Sequence, residues 1–373
     1  TRPSFHGRPW ALAIVMVISG SNESTARERW SEAEATEWYA KQAWPIGCNF
    51  APSTASNQFE MWQADSFDPE TIDRELGWAA DLGFNTVRVF LHDQLWDQDR
   101  DGFLQRIDRF LAIVEKHGIK TMFVPLDGVW DPHPKLGRQP GAVPHRHNSR
   151  WAQAPGATLL ADPARHAELR PYIHGLVHHF RDDDRVLAWD LFNEPDNPNP
   201  AYKKDEIPNK PQMATRLLGH LFAWAREAEP DQPLTVGVWS GTWKSHASMS
   251  PAARLSVEQS DVVSFHSYDR PRIVRQRVEQ LRRYGRPILC TEFMARTNGS
   301  RFDPVLAYFK EQKVGAYCWG FVAGRSQTIY PWDSWVKKYT AEPPVWFHDI
   351  FRPNGAPYDP AETAYIKQLT GKR

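Results

Sequence analysis

The sequence predicts an α/β fold of the (β/α)8 TIM-barrel type. Three observations carry that prediction. From Trp44 onward, short runs rich in Val, Ile, Leu and Phe alternate with longer amphipathic stretches. The runs are apolar on both sides, as parallel strands covered on both faces must be. Helix-to-strand connections are short and several strand-to-helix connections are long, and in a barrel the latter all lie on one rim. No Gly-x-Gly-x-x-Gly turn follows the first strand, which counts against a doubly wound dinucleotide fold.

The elements follow in order. Pro45 to Phe50 is the first predicted strand. Asp68 caps a helix that Pro69 opens and Gly83 stops. Asn85 to Leu91 is the second strand. Phe103, Ile107, Phe110, Leu111 and Val114 share one face of a helix ending at His117. Gly118 closes it, and Ile119 to Leu126 is the third strand. A helix over Pro163 to Phe180 leads to the fourth strand, Val186 to Phe192. A helix over Pro211 to Glu229 leads to the fifth, Leu234 to Trp239. Pro251 to Gln259 is a short helix before the sixth strand, Val262 to His266. Arg272 to Tyr284 precedes the seventh, Pro287 to Glu292. Asp303 to Gln312 precedes the eighth, Gly315 to Gly320, and Pro360 to Leu369 is the last helix. With no internal repeat or low-complexity linker, 44–373 reads as one domain preceded by a lead-in segment, 27–43.

The apolar run Trp10 to Ile18 follows Arg2 and Arg8 and precedes small residues. That is the layout of a secretory signal peptide over 1–26, cleaved after Ala26; the alternative is a short buried strand. The expected location is therefore secreted or periplasmic. No apolar run reaches the roughly 20 residues a membrane span needs. Lys and Arg number 45, as do Asp and Glu, so the net charge is zero. A chain without a cationic face is a poor partner for nucleic acid. A monomer is the expected state. Cys48, Cys290 and Cys318 are too few for a disulfide framework and read as buried thiols, with a Cys48–Cys318 bridge weighed as an alternative. The 17 tryptophans are an unusual load, pointing to a large aromatic core or to a flat, partly polar ligand.

The loop after strand three, from Asp127 to about Ala161, and the loop after strand eight, from about Gly320 to Asp359, are long and aromatic. Structureless loops beyond about 15 residues are usually functional or disordered, and these are too aromatic for disorder. Glu194 ends strand four and Glu292 ends strand seven, on opposite sides of an eight-stranded ring. A carboxylate at a barrel mouth is costly to desolvate, and two facing ones can perform glycoside hydrolysis. Arg88 on strand two, Asn193 beside Glu194, His266 and Tyr268 at the end of strand six, and Trp319 at the end of strand eight complete the constellation. Arg88 would hold a nucleophile ionised, Asn193 would bind a sugar 2-hydroxyl, and Trp319 would offer a ring face.

These residues resemble clan A of the glycoside hydrolases, and most closely glycoside hydrolase family 5, the cellulase-like family. The resemblance runs from Trp44 to the C-terminus and rests on "NEP" ending strand four and "TE" ending strand seven. It implies that Glu194 is the acid/base and Glu292 the nucleophile of a retaining double displacement. It implies the supporting roles of Arg88, Asn193, His266, Tyr268 and Trp319, and a cis Trp319–Gly320 peptide. It further implies a Glu194 pKa that is raised and a Glu292 pKa kept low by Arg88 and Tyr268. The family often has His at the end of strand three, where this chain has Asp127, which marks a divergent subgroup.

The predicted ligand is a β-linked oligo- or polysaccharide of glucan, mannan or xylan type. Asn49, Trp62, Asp127, Trp130, Trp239, Trp243, Trp332 and Trp335 are candidate sugar contacts. Many platforms favour endo action, whereas long third and eighth loops favour an exo-acting enzyme on short chains. A non-catalytic carbohydrate-binding barrel would need neither glutamate. A metal hydrolase is the third class, but His145, His147, His178 and His179 lack a metal-binding spacing. No metal or cofactor is expected.

Overall fold

The computed structural model describes residues 26–372; the apolar run of the expected signal peptide lies outside them. Eight parallel strands form the central sheet: β1 (Ile46–Asn49), β2 (Thr86–Phe90), β3 (Lys120–Val124), β4 (Val186–Asp190), β5 (Leu234–Thr235), β6 (Val263–His266), β7 (Ile288–Phe293) and β8 (Gly315–Cys318). Their order around the sheet is β5-β4-β3-β2-β1-β8-β7-β6. The seam between β5 and β6 is thin, with Val238 N donating to Ser264 O at 3.0 Å and His266 N donating to Val238 O at 2.9 Å. The result is a nearly closed (β/α)8 barrel, as expected.

Helices α1 (Pro69–Asp81), α2 (Asp93–Lys116), α3 (Arg170–His179), α4 (Lys210–Glu227), α5 (Pro251–Gln259), α6 (Pro271–Arg282), α7 (Phe302–Glu311) and α8 (Pro360–Thr370) cover it. Asp68 caps α1 by accepting from Thr71 N. α2 begins ten residues earlier than its apolar face predicts, and it kinks at Asp99. Its first turns are rich in Asp, Gln and Arg, so hydrophobic periodicity cannot reveal them. The outer core joins strand faces to helix stripes, for example Val87, Phe110, Ile173, Leu221 and Phe309. Each such side chain stabilises the fold by about 1.5–3 kcal/mol when fully buried.

The lead-in segment forms a helix, Glu32–Ala40, capped by Ser31 and Glu34 in a capping box. Its Ala35, with Trp30, Trp38 and Tyr39, packs on Met122, Ala188, Val262, Leu289 and Tyr317. Tyr39 Oη donates to Lys313 O, just before β8. This helix therefore plugs the barrel end opposite the long loops.

One expectation about β8 is corrected, and the reading of its cysteine as a buried thiol holds. The cis peptides among the described residues are Ala154–Pro155 and Asp303–Pro304, so Trp319–Gly320 is trans. Gly320 makes the turn instead with φ +76°, and a Cβ there would lie 2.6 Å from Asp349 Oδ1. Cys48 and Cys318 are register partners in β1 and β8, yet both are free and buried. Among the described residues no helix is long and apolar enough to cross a membrane.

Candidate active site

The site is built where β4 overruns the barrel. Beyond Asp190 the chain continues as Phe192–Asn193 and pairs with Leu126–Asp127, which sets Asn193 beside Asp127. Glu194 then takes φ +41°, a left-handed turn that swings its carboxylate over the mouth. Gly128 makes this possible. A Cβ there would lie 2.3 Å from Glu194 O, and Gly128 N donates to Asn193 O at 2.8 Å.

Arg88 is the hub beneath the mouth. It is fully buried and donates through Nε to Asp190 at 3.0 Å, through Nη1 to Asn49 at 2.7 Å and to Glu292 Oε1 at 2.8 Å, and through Nη2 to Asn193 at 2.8 Å. A guanidinium offers five donors in a rigid fork, and here four neighbours read it. Tyr268 Oη donates to the other Glu292 oxygen at 2.7 Å. Glu194 accepts from Asn197 Nδ2 at 2.6 Å, and its Oε1 lies 2.8 Å from His266 Nδ1. Gly237 packs close against this ring; a Cβ there would stand 3.2 Å from the His266 Nε2.

Burial raises both carboxyls and lowers the imidazole. Burial pushes Glu194 up to about 7, against the hydrogen bond from Asn197 and the charge of Arg88. Burial also raises Glu292, with His266, Arg88 and Tyr268 pulling it back. The expectation of a Glu292 held low is therefore corrected: desolvation outweighs its cationic and phenolic partners. Burial lowers His266 to about 4, so it is neutral near pH 7. One ligand atom each from Glu194, His266 and Glu292 lies within 4.8 Å of the others. That spacing would suit a metal ion, but each group already has a protein partner, and a cation there would face Arg88. The arrangement suits proton transfer better.

The sequence-predicted tryptophans divide. Trp319 meets Phe90 and Trp151 edge-on, at 5.5 and 5.8 Å between ring centroids. It lines a small open recess with Asn49, Phe90, Asn148, Trp151 and Asp349. Trp130 stacks on Trp335 at 5.4 Å, joining the third and eighth loops. Trp332 stands edge-on to Tyr268 and is 40% exposed. Trp239 donates to Asp196 at 2.8 Å and lines a second, shallow recess.

Four candidate sugar contacts are corrected. Trp62 is turned inward among Phe67, Phe103 and Phe110, with Nε1 donating to Phe90 O. Trp243 is buried against Phe265 under the Arg277 guanidinium. Asn49 spends its amide on Thr291 O, Cys318 O and Arg88. Asp127 is fully buried, accepting from Asn193 Nδ2 at 2.9 Å and Trp151 Nε1 at 2.7 Å, and burial lifts it to about 7. Asn49 and Asp127 thus position Arg88 and Asn193. Asp190 and Asn197 escaped the sequence reading, although both flank "NEP" and their spacing to Glu194 was visible.

A barrel with two carboxylates converging at its mouth defines the class: a glycosidase. The family model for Cellulase (glycosyl hydrolase family 5) matches residues 47–337, and the chain belongs to that family. No curated protein sequence matches it. Among solved structures, a GH5_18 variant from Streptomyces cattleya in complex with Manβ1-4GlcNAc is similar at TM-score 0.60 and 16% identity, covering 87% of this chain and 80% of that one. The exo-β-1,4-mannosidase Op5Man5 from Opitutaceae bacterium strain TAV5 is similar at TM-score 0.58 and 18% identity, covering 88% and 59%. The endo-β-1,4-mannanase from Thermotoga petrophila is similar at 0.56 and 12%, covering 90% and 77%.

Proposed function

We infer that this glycosidase retains configuration and removes a terminal sugar from short β-linked oligosaccharides, with β-mannosides the first class to test. The observation that carries the chemistry is the convergence of Glu194 and Glu292 oxygens within 4.8 Å. Retaining pairs stand about 5–5.5 Å apart, whereas inverting pairs need about 6.5–9.5 Å to admit a water.

The roles follow from the partners. Glu292, hydrogen-bonded by Arg88 and Tyr268, attacks the anomeric carbon as the glycosidic C–O bond breaks. Glu194, protonated below about pH 7, delivers its proton to the leaving oxygen. The ionised Glu194 then takes a proton from water, whose oxygen attacks the anomeric carbon and releases Glu292. Asn193 has one amide N–H engaged by Asp127 and one left for the 2-hydroxyl. His266 holds the Glu194 carboxyl in place as a neutral ring.

Exo action is supported by a wall across the β1–β2 side of the mouth. The third and eighth loops are tied by Asn148 N to Ser326 O at 2.8 Å, His147 N to Ser334 Oγ at 3.0 Å and Trp335 Nε1 to His147 O at 2.9 Å. A long polymer cannot pass through such a junction without breaking it. The mannoside preference is supported by the proteins named above, whose substrates and ligands are mannosides. Incubation with β-1,4-linked manno-, gluco- and xylo-oligosaccharides, with products resolved by mass, tests both parts. Single-residue shortening of manno-oligosaccharides is the expected result. Mid-chain products, or cleavage of the gluco or xylo series alone, would overturn it.

A further inference from the structure

We propose that the buried Lys210–Glu206 ion pair is a positioning device for the acid/base, tying the loop that carries Glu194 to the third loop behind it. This deepens the glycosidase reading above and rests on it. The starting observation is a cation in an unfavourable place. Lys210 is only 1% exposed and is the first residue of α4. Burial disfavours an ammonium, and the positive end of a helix dipole disfavours it again. A well-packed apolar side chain would suit such a position as well or better. Stability alone therefore does not account for the lysine.

Its partners show what it joins. A lysine ammonium has three N–H donors, and all three are engaged. One goes to Gly128 O on the outgoing leg of the third loop. One goes to Gln153 Oε1 at 3.0 Å on the returning leg, and one to Glu206 Oε2 at 2.6 Å in the loop after β4. Gln153 is fully buried, and the Glu206 side chain nearly so. Gly128 is the residue that lies against Glu194 O and donates its N–H to Asn193 O. The ammonium thus holds, from behind, the backbone on which the Glu194 turn rests.

A second path runs from Glu206 to the Glu194 carboxyl itself. Glu206 Oε2 also accepts from Asn199 Nδ2 at 3.1 Å. Asn199 stands at φ +49°, in the left-handed region that Asn tolerates better than most side chains. Its side-chain amide pairs with both backbone groups of Trp130, accepting from Trp130 N at 3.3 Å and donating to Trp130 O at 2.6 Å. Its backbone N donates to Asn197 Oδ1 at 2.8 Å, and Asn197 Nδ2 donates to Glu194 Oε2 at 2.6 Å. One ion pair therefore fixes both the chain beneath Glu194 and the amide that grips its carboxyl. Lys210, Glu206 and Asn199 reach the reacting atoms only through Asn197 and Glu194, so their part is positional.

The test reads the proton that Glu194 delivers. kcat/KM is measured with methyl and nitrophenyl β-glycosides of the sugar that the oligosaccharide screen identifies. The proteins are the wild type, Glu194→Gln, Lys210→Met and Asn199→Gly. A departing methoxide needs a proton and a nitrophenolate does not. A misplaced acid should therefore cost Lys210→Met about a hundredfold on the methyl glycoside and less than about threefold on the nitrophenyl one. A loss of overall structure would lower both alike. Asn199→Gly keeps the left-handed backbone and the ion pair but cuts the link between them, and should show the same split at about tenfold. Where Lys210→Met folds, its ratio decides; where it does not, the Asn199→Gly ratio decides. Equal losses on the two glycosides, or none, overturn the positioning role and leave the functional reading standing if Glu194→Gln keeps its own split. Equal losses in Glu194→Gln, or a wild type that cleaves no β-glycoside, overturn the functional reading and the positioning role with it.

Discussion

The strand-seven end and the strand-four end of the mouth each present one glutamate, a few ångströms apart, in different company. Glu292 lies inside its strand, where the pairing to both neighbouring strands shifts register, and is held by a cation and a phenol, Arg88 and Tyr268. Glu194 sits on a left-handed residue beyond its strand and is held by a neutral amide and a neutral imidazole, Asn197 and His266. Burial raises both carboxyls, so depth alone cannot divide their labour. The partners divide it: a guanidinium favours a carboxylate anion, and neutral partners let a carboxyl keep its proton.

Replacing Glu292 with Gln breaks the comparison most severely. Hydrolysis of any β-glycoside should fall by about four orders of magnitude or more, with melting temperature preserved. Replacing Glu194 with Gln comes next. The loss should be about 10²–10⁴ for an alkyl leaving group and much smaller for a nitrophenolate, which needs no proton. Equal losses for both leaving groups would remove Glu194 from the acid role.

Tyr268→Phe sharpens the contrast in pH. The phenol stabilises ionised Glu292, so its loss should raise the Glu292 pKa and move the acid limb of kcat/KM to higher pH. The alkaline limb near pH 7, where Glu194 loses its proton, should stay. A moved alkaline limb would place the phenol on the other carboxyl. The smallest expected effect lies in the wall. Trp335→Ala removes the Trp130 stack, worth about 0.5–1.5 kcal/mol, and should raise KM a few-fold with kcat nearly unchanged. Product analysis should show longer chains admitted.

Much of this site was legible because its residues are strand endings. Asn193, Glu194, His266, Tyr268, Glu292 and Trp319 lie at the ends of apolar runs, and a barrel sends such positions to one rim, whereas Arg88 stands out as a charge inside one. The tryptophans were less legible. Trp62 and Trp130 both occupy strand-to-helix loops in the sequence, yet the first packs among Phe67, Phe103 and Phe110 while the second stacks in the wall. A loop position does not say which way an indole turns; neighbours distant in sequence do.

The alternation of buried runs with amphipathic helices determined the barrel by itself, because strand and helix periodicities are local. It also determined which residues reach the mouth. Only the tertiary structure decided that Asp127 serves Asn193, that Asn49 serves Arg88, that Gly237 packs against His266, and that Lys210 joins Gly128 to Glu206. Those facts depend on contacts between chain segments far apart in sequence, and on desolvation, which no single segment controls.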